Sequence, residues 1–457
     1  MELAIKNAKI IQEGRSFTGT ILIDKGKIAK ISCEDHGFNG IQTIDATGKV
    51  LMPGVIDVHS HICEPSDNEY REDFRTGSRA AARGGITSML EMPLSIPPVS
   101  NRTNFEYKLQ RAKRSVIDFA FWGAFIPEAF EHFEELKALG CIGFKAFLPF
   151  AGKDYPRVDD YQLLTGMEQL SALGSLLGVH AENDDIINGK EREFIKAGNY
   201  SGRYHEQSRP EISEIESIQK AILFAEETKC SLHICHLSTA RAKEIILTAK
   251  AKGLSLTVET CPHYLCLTVS DLERLGGYAK CNPPLRTEDN RNKLWDMIKD
   301  GTIDCIASDH SPYTNEDRDV HEGNIWEMPP GIGGLELFLP LLIDEGYHKR
   351  GVPLEQIAQL TSHTPARRFG IANQKGAIEI GRDADLVIVD TEREWTFSAN
   401  DSFMKAKCTK GPYEGRKIKG CVETTIVRGT IVYDGQTIQA PEGYGKMITA
   451  RKGGHHD

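Results

Sequence analysis

Val50-Leu-Met-Pro-Gly-Val-Ile-Asp-Val-His-Ser-His61 reads as a buried apolar strand that stops on two histidines. Side chains alternate faces along a strand, so His59 and His61 leave its C-terminal end on the same side. Two neutral imidazoles on one rigid strand end supply half of a metal site. An isolated His-x-His is more often a hydrogen-bonded pair with no ligand, so the decision rests on the sequence around it.

Outward from that strand, residues 50 to 312 repeat one pattern: a short apolar strand, a polar segment, then a helix-like segment. The predicted strands are 50–61, 86–93, 117–125, 141–148, 176–182, 230–238, 254–265 and 302–312. Helix-like stretches such as 72–83, 105–114, 161–173, 212–228 and 240–252 separate them. About eight β-then-α units of this kind match an α/β fold of the (β/α)₈ TIM-barrel type better than an open doubly wound sheet. The first strand is not followed by a Gly-x-Gly-x-x-Gly opening a helix, which weighs against a dinucleotide fold. The two ends of the chain have a different character, with short β-rich pieces and turn residues between them. They predict a small β-sandwich built from residues 1–50 and 376–440, a barrel over 51–375, and a tail over 441–457. The polar end Arg451-Lys-Gly-Gly-His-His-Asp457 reads as frayed, with His455 and His456 solvated.

Composition narrows the partners. The net charge of -10 comes with no long basic run, which argues against nucleic acid and anionic membranes. The start Met-Glu-Leu-Ala-Ile-Lys has no signal-peptide pattern, and no apolar run is long enough for a bilayer span. The 11 cysteines are scattered, often inside apolar strands, as expected of reduced thiols in a cytoplasmic protein.

Barrel enzymes carry their chemistry at the C-terminal strand ends. There the chain places His59 and His61 on strand one, His180 on strand five, His236 on strand six and Asp309 on strand eight. Each alone is more often a satisfied core histidine or a turn-capping carboxylate; their joint placement on one rim points to a metal centre. Strand four ends in Gly-Phe-Lys-Ala-Phe147, which puts Lys145 among apolar neighbours. An ammonium is costly there. Addition of carbon dioxide would turn the amine into a carbamate, a carboxylate able to bridge two cations. A lysine that snorkels to solvent or pairs with an acid is the competing reading.

The order His-x-His, Lys, His, His, Asp on successive strand ends resembles the amidohydrolase superfamily, and within it the cyclic amidohydrolases: dihydroorotases, hydantoinases or dihydropyrimidinases, and allantoinases. The resemblance covers nearly the whole chain and includes Gly376-Ala-Ile-Glu-Ile-Gly-Arg-Asp-Ala-Asp-Leu-Val-Ile388. The wording of His61-Ile-Cys-Glu-Pro65, Gly84-Gly-Ile-Thr-Ser-Met-Leu-Glu-Met-Pro-Leu94, Gly143-Phe-Lys-Ala-Phe147, Cys261-Pro-His-Tyr264 and Ser308-Asp-His-Ser-Pro312 is most similar to bacterial allantoinases. The resemblance implies one metal on His59, His61 and Asp309, a second on His180 and His236, and a carboxylated Lys145 between them. Zinc suits these donors best, with manganese, cobalt and iron compatible. Asp309 would also carry the proton from water to the leaving ring nitrogen. Family analogy further implies a homotetramer.

Substrate choice turns on Cys63. Dihydroorotases have an arginine two residues beyond the second histidine, pairing with the substrate carboxylate; Cys63 offers no cation. A small neutral cyclic ureide is therefore expected, and allantoin, opened to allantoate, fits. Asn282 in Cys-Asn-Pro-Pro-Leu-Arg286 and the backbone of Gly331 in Pro329-Pro-Gly-Ile-Gly-Gly-Leu335 are candidate contacts to the ring, with turn formation as the competing role for both. His263 and His310 lie near the same rim, as hydrogen-bond partners of the ligands or as packing. The rival functions are a hydantoinase or dihydropyrimidinase on another neutral ring, and a non-catalytic scaffold of the same fold. The filled ligand positions disfavour the scaffold.

Overall fold

The computed structural model describes residues 1–33 and 40–450. The polar end from Arg451, with His455 and His456, lies outside the described residues.

The barrel strands are Val55–Ser60, Ile86–Glu91, Asp118–Phe121 continued by Gly123–Ala124, Phe144–Phe147, Leu176–His180, Ser231–Ile234, Leu256–Thr260 and Cys305–Ile306. Every pairing between neighbours is parallel. The ring closes where the chain after strand eight meets strand one. There Asp309 N–H donates to the His59 carbonyl at 2.8 Å, and His61 N–H donates to the His310 carbonyl at 2.8 Å. The buried Asp57 carboxylate ties the same seam, accepting from Ser308 N–H at 2.8 Å and the Ser308 hydroxyl at 2.6 Å. Closure alone thus sets strand-one histidines beside the strand-eight aspartate.

Two apolar layers hold the barrel. Ile56, Val58, Leu90, Ala120, Trp122 and Phe369 belong to one buried cluster. Trp122 spans the interior: its indole N–H donates to the Val58 carbonyl at 3.0 Å, and its ring lies 5.3 Å from that of Phe369. A Cβ on Gly143 or Gly178 would fall 2.8 or 2.9 Å from the indole, so strands four and five need glycine where the ring crosses them. Outside the strands, helix residues Phe74 and Phe105 pack on Phe119 and Phe121 in a second layer.

The predicted strand 50–61 is two strands. Val50–Pro53 pairs parallel with Leu3–Gln12 and antiparallel with Leu386–Thr396, while Val55–Ser60 enters the barrel. Gly54 makes the break: its N–H donates to the Asp385 carbonyl at 2.8 Å, and a Cβ there would sit 2.2 Å from the Thr87 hydroxyl. Val50–Pro53 is the strand that joins both chain ends into one eight-stranded sheet among the described residues. Ile5, Ile10, Ile21, Ile23, Leu51, Leu386, Ile388 and Ile426 give this sheet a core of its own. The terminal β unit expected from both ends is present, and it reaches Pro53 on the N-terminal side. Residues 441–450, read as the start of a tail, lie along the third barrel strand instead. Gly445 N–H donates to the Ser115 carbonyl at 2.9 Å and Ile448 N–H to the Phe119 carbonyl at 2.7 Å.

Candidate metal centre

His59 and His61 come off strand one with Nε2 atoms 3.2 Å apart, as the i, i+2 spacing requires. Asp309 Oδ1 stands 3.3 Å from His59 Nε2 and 3.2 Å from His61 Nε2. His59 Nδ1 lies 2.5 Å from the Glu259 carboxylate, so it carries the proton and leaves a lone pair on Nε2. Burial lowers the His59 imidazole to about 4, outweighing the pull of Glu259, so the ring stays neutral. Burial pushes the Asp309 carboxyl up, and the neighbouring His59 and His61 more than reverse this, holding it at about 2. Two imidazole nitrogens and an ionised carboxylate oxygen converging in this way fit the donor set of one divalent cation.

On the other side of the barrel mouth, the His180 and His236 rings lie 4.5 Å apart, and His236 is 5.2 Å from His59. His180 Nε2 donates to Glu182 at 2.8 Å, leaving Nδ1 as the available donor atom. Glu182 also accepts from Arg209 at 2.5 Å; burial raises its carboxyl, and Arg209 and His180 outweigh that and hold it at about 2. His236 Nε2 faces the Lys145 amine at 3.5 Å. Lys145 is fully buried, its amine 5.1 Å from the Phe147 ring centre, with no carboxylate within ion-pair distance among the described residues. A buried ammonium in that setting is uncompensated; a carbamate facing two cations would not be. The donor set therefore fits a second ion beside the first.

Both His236 (φ 35°) and Asp309 (φ 43°) have left-handed backbone, rare for residues with a Cβ. Each sits just past its strand, where that conformation turns the chain at the rim and aims the side chain at the centre.

A cavity of about 290 Å³ opens above these residues. His59, His61, His180, His236 and Asp309 line it, and so do Cys63, Asn282 and Gly331. Of the residues singled out in the sequence as ligands or ring contacts, only Lys145 lies beneath the lining. The Asn282 side-chain oxygen is buried with no protein partner, and Gly331 N–H is spent on the Lys280 carbonyl at 2.8 Å. His263 is buried with Nε2 unpartnered. The His310 Nδ1 accepts from Gly334 N–H at 3.2 Å, and its Nε2, like that of His263, is buried without a hydrogen-bond partner.

Several site residues escaped the sequence reading. Glu259 accepts from His59 and His233 side chains and from His236 N–H, linking strands one, six and seven. A carboxylate in the middle of Leu256-Thr-Val-Glu-Thr260 was its signal. Glu182 follows His180 at the same i, i+2 spacing that marked His59 and His61. Arg71 and Arg209 both line the cavity; in Tyr70-Arg-Glu-Asp and Ser208-Arg-Pro nothing sets them apart from ordinary surface charge.

The sequence profile of the amidohydrolase family matches residues 50–432. The chain belongs to this family. This amidohydrolase is 39% identical over 447 residues to an allantoinase of Rubrobacter xylanophilus, covering 97% of the chain and 96% of that protein. It is also 39% identical to an allantoinase of Desulfitobacterium hafniense, with 97% and 98% covered. Among solved structures, an L-hydantoinase (dihydropyrimidinase) from Arthrobacter aurescens superposes with a TM-score of 0.94 at 32% identity, covering 98% of this chain and 99% of that one. Among the described residues, no helix is long and apolar enough to cross a membrane.

Proposed function

We propose that this amidohydrolase is an allantoinase, opening the hydantoin ring of allantoin by water to give allantoate. The observation that carries the reading is the convergence of His59, His61 and Asp309 with His180, His236 and Lys145 at the mouth of a barrel whose full-length relatives are named allantoinases. His59, His61 and Asp309 would hold one divalent ion, His180 and His236 another, with a carboxylated Lys145 between; zinc is the metal these donors favour. Such ions, when bound, acidify water and polarise a carbonyl.

The chain's own groups do the rest. Asp309 enters ionised and engages both histidines through Oδ1, so Oδ2 is the atom to take a proton from the attacking water. As the ring C–N bond breaks, the same oxygen returns that proton to the departing nitrogen, without which an amide nitrogen leaves poorly. Glu259 and Glu182 fix the rings of His59 and His180 and keep the Nδ1 and Nε2 protons where they are. The unpartnered Asn282 oxygen suits a ring N–H.

Activity on other neutral hydantoin rings is the second reading, favoured by the likeness to the Arthrobacter L-hydantoinase. A homotetramer in the cytoplasm completes the proposal. The test is a panel of allantoin, hydantoin, dihydrouracil and dihydroorotate, run on protein of measured metal content. Allantoin is expected to have the highest kcat/KM. Preference for dihydroorotate would contradict the argument from Cys63, and preference for hydantoin or dihydrouracil would move the assignment to the second reading.

A further inference from the structure

The cavity wall that carries Cys63 contains a cation after all. Arg71, eight residues on in the same loop, lines the cavity with Cys63, Ser66 and Asn68. Its guanidinium lies against Tyr313, 4.5 Å from the ring centre, and Tyr313 is itself a lining residue. Nε donates to Asp317 Oδ2 at 3.0 Å and Nη2 to Asp317 Oδ1 at 2.9 Å, a two-pronged pair. Asp317 is otherwise saturated: Tyr70 O–H donates to Oδ1, and Thr314 N–H and O–H donate to Oδ2 at 2.9 and 3.1 Å. The bonds to Asp317 use Nε and Nη2, so the two hydrogens on Nη1 remain for a ligand.

We propose that Arg71 is a specificity-determining residue that donates through Nη1 to the carbonyl of a neutral arm on the substrate ring. The ureido carbonyl of allantoin is such a group. The inference rests on the reading that the ring occupies this cavity. Asp317 decides the polarity of the ligand. An unpaired guanidinium would recruit a carboxylate, but here a largely buried carboxylate already cancels the charge while leaving two N–H groups in place. The paired arginine therefore selects a carbonyl over an anion. The absence of a cation at position 63 and the presence of a paired one at 71 then act in the same direction. Arg209, the other lining arginine, is likewise paired, with Glu182.

The experiment compares the full-length wild type with R71M, R71K and D317N at equal metal content. The readout is kcat/KM on allantoin, on hydantoin (which lacks the arm) and on dihydroorotate (which carries a carboxylate). R71M is expected to lower the allantoin-to-hydantoin ratio about tenfold or more, mainly through KM, with R71K between it and the wild type. D317N, which leaves the guanidinium without its counter-charge, is expected to raise the dihydroorotate-to-allantoin ratio about tenfold. Either ratio staying within about threefold of the wild-type value overturns the proposal, because equal losses on all rings would make Arg71 a strut of its loop. If R71M does not fold, the D317N ratio alone decides. A wild type that opens hydantoin but not allantoin would defeat the allantoinase reading; a hydantoin bearing a neutral amide arm would then replace allantoin in the same comparison, so the two failures stay distinct.

Discussion

At the scale of single residues, Asp309 is asked to do two things. Under the proposed mechanism it would close the donor set with His59 and His61, from which Oδ1 lies 3.3 and 3.2 Å, and would move a proton through Oδ2. An asparagine in its place would keep an oxygen ligand and the side-chain shape while losing the basic oxygen. D309N is therefore expected to retain bound metal and to lose about 10²–10⁴ in kcat, the range typical of acid–base groups. Metal analysis beside steady-state kinetics checks both halves; near-normal turnover would remove Asp309 from proton transfer. The candidate positions were legible because strand alternation and barrel polarity act on local sequence: His59 and His61 share a strand end, His180 ends its strand, His236 and Asp309 lie just past theirs, and Lys145 lies within Phe144–Phe147. Glu259 was not legible in that way. Its partners are His59, His233 and His236, far away in sequence, and only closure of the barrel brings them to it. Arg71 is harder still, since its role comes from a pairing with Asp317, 246 residues away in the chain.

Among the elements, the decisive one is the junction at Gly54. Apolar residues run on either side of it, which favours one strand from Val50 to His61, although Pro53-Gly54 is itself a turn-forming step. What separates the two halves is their partners: Leu3–Gln12 and Leu386–Thr396 before the glycine, Ile86–Glu91 after it. No local pattern encodes the choice of partner, and the other strands are likewise shorter than their apolar runs: 302–312 narrows to Cys305–Ile306 and 254–265 to Leu256–Thr260. The close approach of Thr87 leaves no room for a side chain at Gly54. G54A is expected to cost about 1–3 kcal/mol through overpacking at the junction, seen as a lower Tm in calorimetry. An unchanged Tm would mean that strand two yields freely, and that the junction is not held as described.

For the molecule as a whole, the barrel and the terminal sheet are joined by a buried ion cluster. Lys375 donates to Asp118 at the start of barrel strand three and to Asp385 beside the sheet, both at 2.6 Å, and lies 3.0 Å from Asp383. Arg428 adds a second cation on Asp118. K375M would leave these carboxylates with less counter-charge in a buried site, and a loss of about 3–5 kcal/mol is expected. Burial would lower the Lys375 pKa, but Asp385 and Asp383 outweigh it and raise the value above that of a free lysine. A group raised in the folded state stabilises fully below its unfolded pKa, about 10.4 for lysine, and the benefit fades as pH climbs through the folded value. Wild-type Tm should therefore fall above about pH 10.4 more steeply than that of K375M. Parallel slopes would contradict the linkage. The existence of a terminal β unit was legible from composition at the two ends; the cluster that fastens it was not, because its members lie far apart in the chain and only the folded topology brings them together.

The claim underlying the functional account is that the barrel mouth holds two divalent ions with a modified lysine between them. Element-specific anomalous difference maps from crystals of zinc-loaded protein test it most directly. Two peaks are expected, one among His59, His61 and Asp309 and one beside His180 and His236, with carbamate density continuous with the Lys145 side chain. A single peak, or a bare amine at Lys145, would contradict the account.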